Sequence, residues 1–339
     1  MDKYVILSRI GEGAHGVVLK GRHKDTGRLV ALKKIQLRNV DDGIPHTAIR
    51  EIKALQLTSF HPNIVRLHEF FPHGMGFTLV FDCMLSDLSE ILRSIESRLC
   101  EGQIKTYMLM LLRGVSFLHS NSIMHRDLKP ANLLIDSCGV LKIADFGLAR
   151  LFSDDKNRLY SHQVATRWYR SPELLYGARH YSKSVDLWAV GCIFGELINN
   201  SPIFPGENDI EQLWFVIRVL GTPTEKNWPG LSRLPDYNKI TFNRCKPVAL
   251  EEILLSPSPL GVDLLKKFLN YDQSKRISAE TALLHDYFLT EPLPVDHAKL
   301  PRISTKRHSG APFEGCLKAP LNLLLPPSSY FDEAASYFP

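Results

Sequence analysis

His125-Arg126-Asp127-Leu128-Lys129-Pro130-Ala131-Asn132, followed after a short strand-like run by Asp145-Phe146-Gly147, is the stretch from which the rest of the chain can be read. Its five fixed residues (His, Arg, Asp, Lys and Asn) fall within eight positions, a coincidence expected in roughly one chain in ten thousand. Two further signals lie upstream, in order. Gly11, Gly13 and Gly16, with Val18, fit GxGxxGxV on a loop between two predicted strands. That context is strand-turn-strand, not the strand-turn-helix of a dinucleotide site. Glycines there let backbone N–H groups approach phosphates without side-chain collision. Taken alone, this pattern arises in roughly one chain in a few hundred. The second signal is Lys33, in VALKK on the third predicted strand, with Glu51 on the helix that follows. A lysine beneath a phosphate-covering loop needs a carboxylate to hold its flexible stem, and a helix glutamate can supply it.

Outward from these motifs the chain divides in two. From Tyr4 to Cys83, β-branched and apolar residues alternate through YVILSRI, GVVLKGR, RLVALKKIQL, RLHEFF and GFTLVFDC, with turns between them, which predicts five mostly antiparallel strands. One helix interrupts them, started by Pro45 at a first helical position and carrying Ile49, Ile52 and Leu55. From about Asp87 the period changes. Ile104, Tyr107, Met108, Leu111, Leu112, Val115 and Leu118 mark one long amphipathic helix, and further helices are expected at Val185–Leu197, Ile210–Leu220, Gly261–Leu269 and Ala279–Leu284. The fold class expected is α+β with two lobes: a small β lobe over 1–83, a linker over 84–87, a larger helical lobe over 88–288, and a Pro-rich tail over 289–339. The tail is read either as a linker or as a strap packed on the large lobe.

The 339 residues are ample for such a pair of lobes, and 44% hydrophobic with 23% charged residues is an ordinary globular mix. Forty-one Lys and Arg against 36 Asp and Glu give a net charge of +5, too mild for a nucleic-acid binder. No uncharged apolar run of about 18 residues occurs, so membrane insertion is not expected. The six cysteines form no CxxC pair, so neither a disulfide framework nor a zinc site is expected.

With these residues in place the chain resembles the eukaryotic protein kinases, from Tyr4 to about Phe288. The helix text PHTAIRE (Pro45 to Glu51), with VATRWYRSPE and GTPT, narrows the resemblance to the cyclin-dependent kinase family. It implies transfer of the γ-phosphate of ATP to serine or threonine of protein substrates, other kinases among them, in cell-cycle or ciliary signalling. Such chemistry asks the protein for positioning and charge stabilisation. Asp127 is then the acceptor of the substrate hydroxyl proton. Asn132 and Asp145 are the Mg²⁺ ligands, Lys33 with Glu51 the α- and β-phosphate site, and Lys129 the cation near the transferred group. Thr166 is expected to bond Asp127 and Lys129. The nucleotide lies under Gly11, Glu12, Gly13, Ala14, His15, Gly16 and Val17. Ile10, Val18, Ala31 and Leu134 sandwich the ring, with Phe81 as the deep wall, Asp82 and Met84 as backbone partners and Asp87 at the ribose. Arg170, engaging the backbone near Val164, implies a pocket for proline after the target residue.

The resemblance also implies a switch and a partner. Ser161 aligns with the family's activating threonine, and Arg50, Arg126 and Arg150 with the arginines that clamp its phosphate. Ala14 and His15 lack the hydroxyls that many relatives use for inhibitory phosphorylation. A cyclin-like subunit is expected at the Pro45–Glu51 helix, although His46 replaces the usual small hydroxyl residue there. Nucleus and cytoplasm, with the cilium, are the compartments implied. The competing reading is a kinase-fold scaffold that transfers nothing; Lys33, Asp127 and Asp145 speak against it.

Overall fold

The alternating runs of the N-terminal third become a five-stranded antiparallel sheet. The computed structural model describes residues 1–13, 16–36, 46–58, 60–95, 98–152 and 159–302. The strands are β1 (Tyr4–Gly13), β2 (Gly16–His23), β3 (Leu29–Gln36), β4 (Leu67–Pro72) and β5 (Gly76–Asp82), in the order β1-β2-β3-β5-β4. At the β1–β2 turn Gly13 pairs with Gly16, which has φ 130°. A Cβ on Gly16 would lie 1.8 Å from the carbonyl oxygen of Lys34, so only glycine lets β2 approach β3 there. The helix of this lobe is α1 (His46–Thr58). Ala14, His15 and Pro45 lie outside the described residues.

The large lobe is built around a helix that is buried on every side. This helix, α5 (Ser184–Asn199), buries Trp188, Val190, Ile193, Phe194 and Leu197, as a helix without a polar face must. Around it stand α2 (Leu88–Ser94), α3 (Glu101–Ser120), α4 (Pro172–Leu175), α6 (Asp209–Leu220), α7 (Leu250–Ile253), α8 (Pro259–Phe268) and α9 (Ala279–Leu283). The long helices match the expected positions to within a few residues. Short α2, α4 and α7 carry too few turns to show a period. Among the described residues no helix is long and apolar enough to cross a membrane.

Short strands carry the loops between the lobes. β6 (Ser86–Asp87), β8 (Leu133–Ile135) and β9 (Leu141–Ile143) form one antiparallel sheet, and β7 (Ile123–Met124) pairs with β10 (Arg150–Leu151). The small lobe is stitched to β9 by Val65 N–H to Ile143 O at 3.0 Å and Ile143 N–H to Asn63 O at 2.8 Å.

Past Phe288, where a tail was expected to begin, the chain stays packed on the large lobe as far as Arg302. The buried Lys105 ammonium donates to Thr290 O at 2.8 Å, the Thr106 hydroxyl to Val295 O at 2.7 Å, and Arg302 to the carbonyls of Ser137 and Cys138. The strap passes so close to α3 that a Cβ on Gly102 would meet Leu293 O at 2.8 Å. Lys105 and Thr106 on α3 are its polar anchors. The apolar runs LNLLL and SYF farther along the tail lie outside the described residues.

One ion pair ties α4 to the turn before α9. Arg276 donates to both oxygens of Glu173, at 2.6 and 2.7 Å, and both side chains are fully buried. The remaining guanidinium N–H groups reach Asn270 O and Ser184 O, so the desolvated charge is matched on all sides. Next to it the Ser171 hydroxyl is buried without a partner among the described residues. Two outcomes follow for urea unfolding. Arg276→Ala strands the Glu173 carboxylate and should cost about 3–5 kcal/mol, whereas Ser171→Ala removes an unsatisfied hydroxyl and should gain about 1 kcal/mol.

Candidate active site

The buried carboxylate of Asp186 on α5 shapes the loop His125–Asn132. Its two oxygens accept from the backbone N–H of His125 at 2.9 Å and of Arg126 at 2.7 Å, and His119 Nε2 lies 2.9 Å from Oδ2. Burial pushes this carboxyl up, but the bonds from His119 and the Arg126 N–H outweigh it and hold Asp186 below the usual carboxylate range. Held this way, Arg126 sits at φ 68°, a left-handed conformation that a non-glycine residue adopts only when its surroundings impose it. His125 is buried beneath. Its Nδ1 accepts the Asp127 N–H at 3.2 Å, so the ring proton is on Nε2, which donates to Ala144 O at 2.9 Å.

This frame delivers Asp127 into a ring of donors. Thr166 gives its N–H and its hydroxyl to Asp127 Oδ1, both at 2.9 Å. Lys129 Nζ is 2.7 Å from Thr166 Oγ1 and 3.0 Å from Asp127 Oδ2. Asn132 Nδ2 donates to the main-chain oxygen of Asp127 at 2.8 Å and to its Oδ2 at 3.0 Å. A short 3₁₀ turn, Pro130–Asn132, orients Asn132, with Pro130 pre-setting φ at its start. Asp127, Lys129 and Asn132, placed by the motif spacing, therefore form one connected network with Thr166.

Across the cleft β3 presents Lys33. Its ammonium lies 2.7 Å from Glu51 Oε1 on α1 and 3.2 Å from Asp145 Oδ1. Burial pulls the Lys33 pKa down, and the two carboxylates outweigh it and hold it above the ordinary value. Asp145 has φ 63° at the head of the turn Phe146–Leu148, and α1 packs on that turn. Phe146 is buried edge-on to His125 at 5.0 Å, which locks the two motifs together.

The residues expected around the nucleotide base lie on β1, β2, β3, β5, the linker that follows and β8. Ala31 pairs with Phe81 across β3 and β5, and Phe81, Met84 and Leu134 pack on the core. Ile10 is half exposed, at 49%, on β1, and Val18 stands opposite Gly11 on β2. Val17 stands opposite Lys34. The Asp82 side chain is held by Arg28 at 2.5 Å and His68 at 2.8 Å, facing away from the role assigned to its main chain. Burial pushes the Cys83 thiol up. Asp87, expected at the ribose, also caps α2, with Oδ1 accepting from Glu90 N–H at 2.9 Å and from the Ser89 hydroxyl.

Comparison with known proteins agrees with this geometry. The protein kinase domain family matches residues 4–288. Cyclin-dependent kinase 20 of Danio rerio is 66% identical over 301 residues, 89% of this chain and 88% of that protein. The Homo sapiens protein of the same name is 58% identical over 318 residues, 92% of each chain. Among solved structures, a chain of the CAK complex from Chaetomium thermophilum bound to ATP-γ-S matches with a TM-score of 0.83 at 41% identity, covering 89% of this chain and 96% of that one. The chain belongs to the cyclin-dependent kinases. It is a serine/threonine protein kinase.

The remaining predicted residues of the kinase fall on the loop that ends at α4. Arg170 donates through Nε to Val164 O and through Nη2 to Ala165 O, both at 2.9 Å, and pairs with Asp209 at the start of α6. Ala165 has φ 64°. Ser161 is exposed. Of the three arginines expected to converge on it, Arg126 reaches it through Tyr181, whose hydroxyl accepts from Nη1 at 2.7 Å and donates to Ser161 O at 2.6 Å. Arg50 is half-buried on α1, and Arg150 pairs with Met124 across β10 and β7.

His119, Tyr181 and Asp209 were not anticipated. His119 had a signal, since it continues the buried Leu111, Val115 row of α3 by one further turn. Tyr181 and Asp209 had none, because each meets its arginine across dozens of residues of chain. Thr166→Val should lower kcat about ten-fold or more in steady-state kinetics, the equivalent of one hydrogen bond to a charged group, and leave the KM for ATP unchanged.

Proposed function

We propose that this kinase is proline-directed, using ATP with Mg²⁺ to phosphorylate serine or threonine that precedes proline in protein substrates. The observation that carries the reading is the grip of Arg170 on the carbonyls of Val164 and Ala165. Both acceptors are spent on the protein's own side chain, so a residue bringing an N–H to this place finds no carbonyl to bond. Proline has no N–H to strand, and loses nothing.

The residues that would hold the nucleotide are Ala31, Leu134 and Phe81 for the base, the main chain of Asp82 and Met84 for its edge, Asp87 for the ribose, and Gly11, Gly13, Gly16 and Lys33 for the phosphates. That the structurally similar chain belongs to a complex bound to ATP-γ-S supports the use of ATP. For the metal, Asn132 spends its amide nitrogen on Asp127, which leaves its amide oxygen as the donor, and Asp145 adds one carboxylate. Among the described residues no cluster of three His, Cys, Asp or Glu makes a self-sufficient cage. One carboxylate and one amide oxygen fit Mg²⁺, which takes its other oxygens from phosphate and water. Bound there, the ion neutralises phosphate charge.

In the reaction the substrate hydroxyl oxygen attacks the γ-phosphorus, the bond to the ADP oxygen breaks, and Asp127 takes the hydroxyl proton. Lys129, 3.0 Å from Asp127, offsets negative charge beside the transferred group. Thr166 fixes the rotamer of Asp127. A cyclin-like subunit on α1 would act through Glu51 and so through Lys33, and Ser161 is the phosphorylation site that regulates the loop.

Transfer of labelled phosphate to a Ser-Pro peptide and its Ser-Ala twin tests this reading. The Ser-Pro peptide should be labelled, its twin at least about ten-fold less, and Asp127→Asn should lower the rate about 100-fold or more. Equal labelling of the two peptides would refute proline direction, and an unimpaired Asp127→Asn would refute the assignment of the base. Ser161→Ala should reduce activity if the switch exists. Full activity, with no phosphate on the wild-type residue, would refute it.

A further inference from the structure

The stretch from Leu159 to Thr166 leads from Ser161 into the Arg170 site and then to Asp127. It is held by features that involve no phosphate. Tyr160 is buried among Met124, Val164, Leu174, Tyr181 and Val185, with its ring 5.2 Å from that of Tyr181 and its N–H donating to Arg179 O at 2.8 Å. The Tyr181 hydroxyl is fully used, donating to Ser161 O and accepting from Arg126. Arg126 turns its Nε to Leu148 O at 2.8 Å, at the end of the turn that follows Asp145. A continuous relay therefore runs from Leu148 through Arg126 and Tyr181 to Ser161.

We propose that Tyr181 is a positioning residue that moors the Ser161 stretch to the catalytic loop and so holds the Val164–Thr166 turn in place before any phosphorylation. Three observations support the assignment. The relay ends on a main-chain oxygen, so it forms without any group from the Ser161 side chain. It passes through Arg126, the neighbour of Asp127, and the Arg126 N–H is fixed by Asp186. Among the described residues the guanidinium of the buried Arg126 bonds two neutral oxygens, those of Leu148 and Tyr181. A phosphate arriving on Ser161 can then draw Arg126 from Tyr181 and replace one mooring by a stronger, charge-assisted one. This last step rests on reading Ser161 as a phosphorylation site; the mooring itself does not.

The test uses the full chain with Ser161→Ala, which cannot be phosphorylated yet keeps the carbonyl that Tyr181 bonds. Adding Tyr181→Phe keeps the ring and removes the relay. Amide exchange over residues 160–166 should quicken about five-fold, the worth of one ordinary hydrogen bond, with α5 unchanged. Turnover of the Ser-Pro peptide should fall by a similar factor, and the KM for ATP should hold. In wild-type chain phosphorylated on Ser161, verified by mass spectrometry, the same Tyr181→Phe penalty should shrink to less than about two-fold. Unchanged exchange over 160–166, or equal quickening in α5, would overturn the proposal, as would an undiminished penalty in the phosphorylated chain. Equal activity of wild type and Ser161→Ala would refute the switch alone, since the exchange result on residues 160–166 decides the mooring separately.

Discussion

The carboxylate of Asp186 accepts the N–H groups of two consecutive residues, His125 and Arg126, and with His119 beside it forms a buried polar knot in the large lobe. Burying such a charge is unfavourable unless every lone pair finds a donor. Here the donors are main-chain groups, so matching the charge fixes the backbone. That constraint forces Arg126 into its left-handed conformation, sets the His125 ring beneath the loop and turns Asp127 toward the cleft. The apolar walls of α5 and α3 make the knot dry, and the knot in turn prevents the loop from relaxing.

From that point rigidity passes outward through short hydrogen bonds. Asp127 is held by Thr166, Lys129 and Asn132; Thr166 leads into the Arg167–Tyr169 turn and then to Arg170, which is anchored to α6 by Asp209. His125 carries the frame to Phe146 and Asp145, and Asp145 to Lys33 and Glu51 on the other lobe. The two carboxylates most different in surroundings do different work. Asp186 is enclosed and shapes the loop, whereas Asp127 is gathered into the ring of Thr166, Lys129 and Asn132. The Glu173–Arg276 pair stands outside this chain of contacts and anchors the lower lobe, where its contribution is to hold the loop's far end.

Much of the site was legible because its residues are close in sequence. Asp127, Lys129 and Asn132 are set by one turn, so their spacing alone specifies their neighbourhood, and Asp145 follows on the next strand. The two lobes were legible for a similar reason: period-2 alternation in β1 to β5 and helical period in α3 report local burial directly. The strap over 289–302 was left open, because its anchors are Lys105 and Thr106, two residues of α3 that look like an ordinary polar interruption of an apolar helix until the strap covers them.

What the sequence by itself determined is the chemistry available and its local order: a loop with a carboxylate, a lysine and an amide, a lysine on a strand, and glycine where only glycine fits. Tertiary structure alone decided which of these touch and what holds them. Asp209 meets Arg170 and Tyr181 bridges Arg126 to Ser161 because packing around α5 brings distant segments within 3 Å. Periodicity and spacing encode contacts between neighbours along a chain, whereas a hydrogen bond across dozens of residues is set by the shared core and leaves no mark on either segment alone.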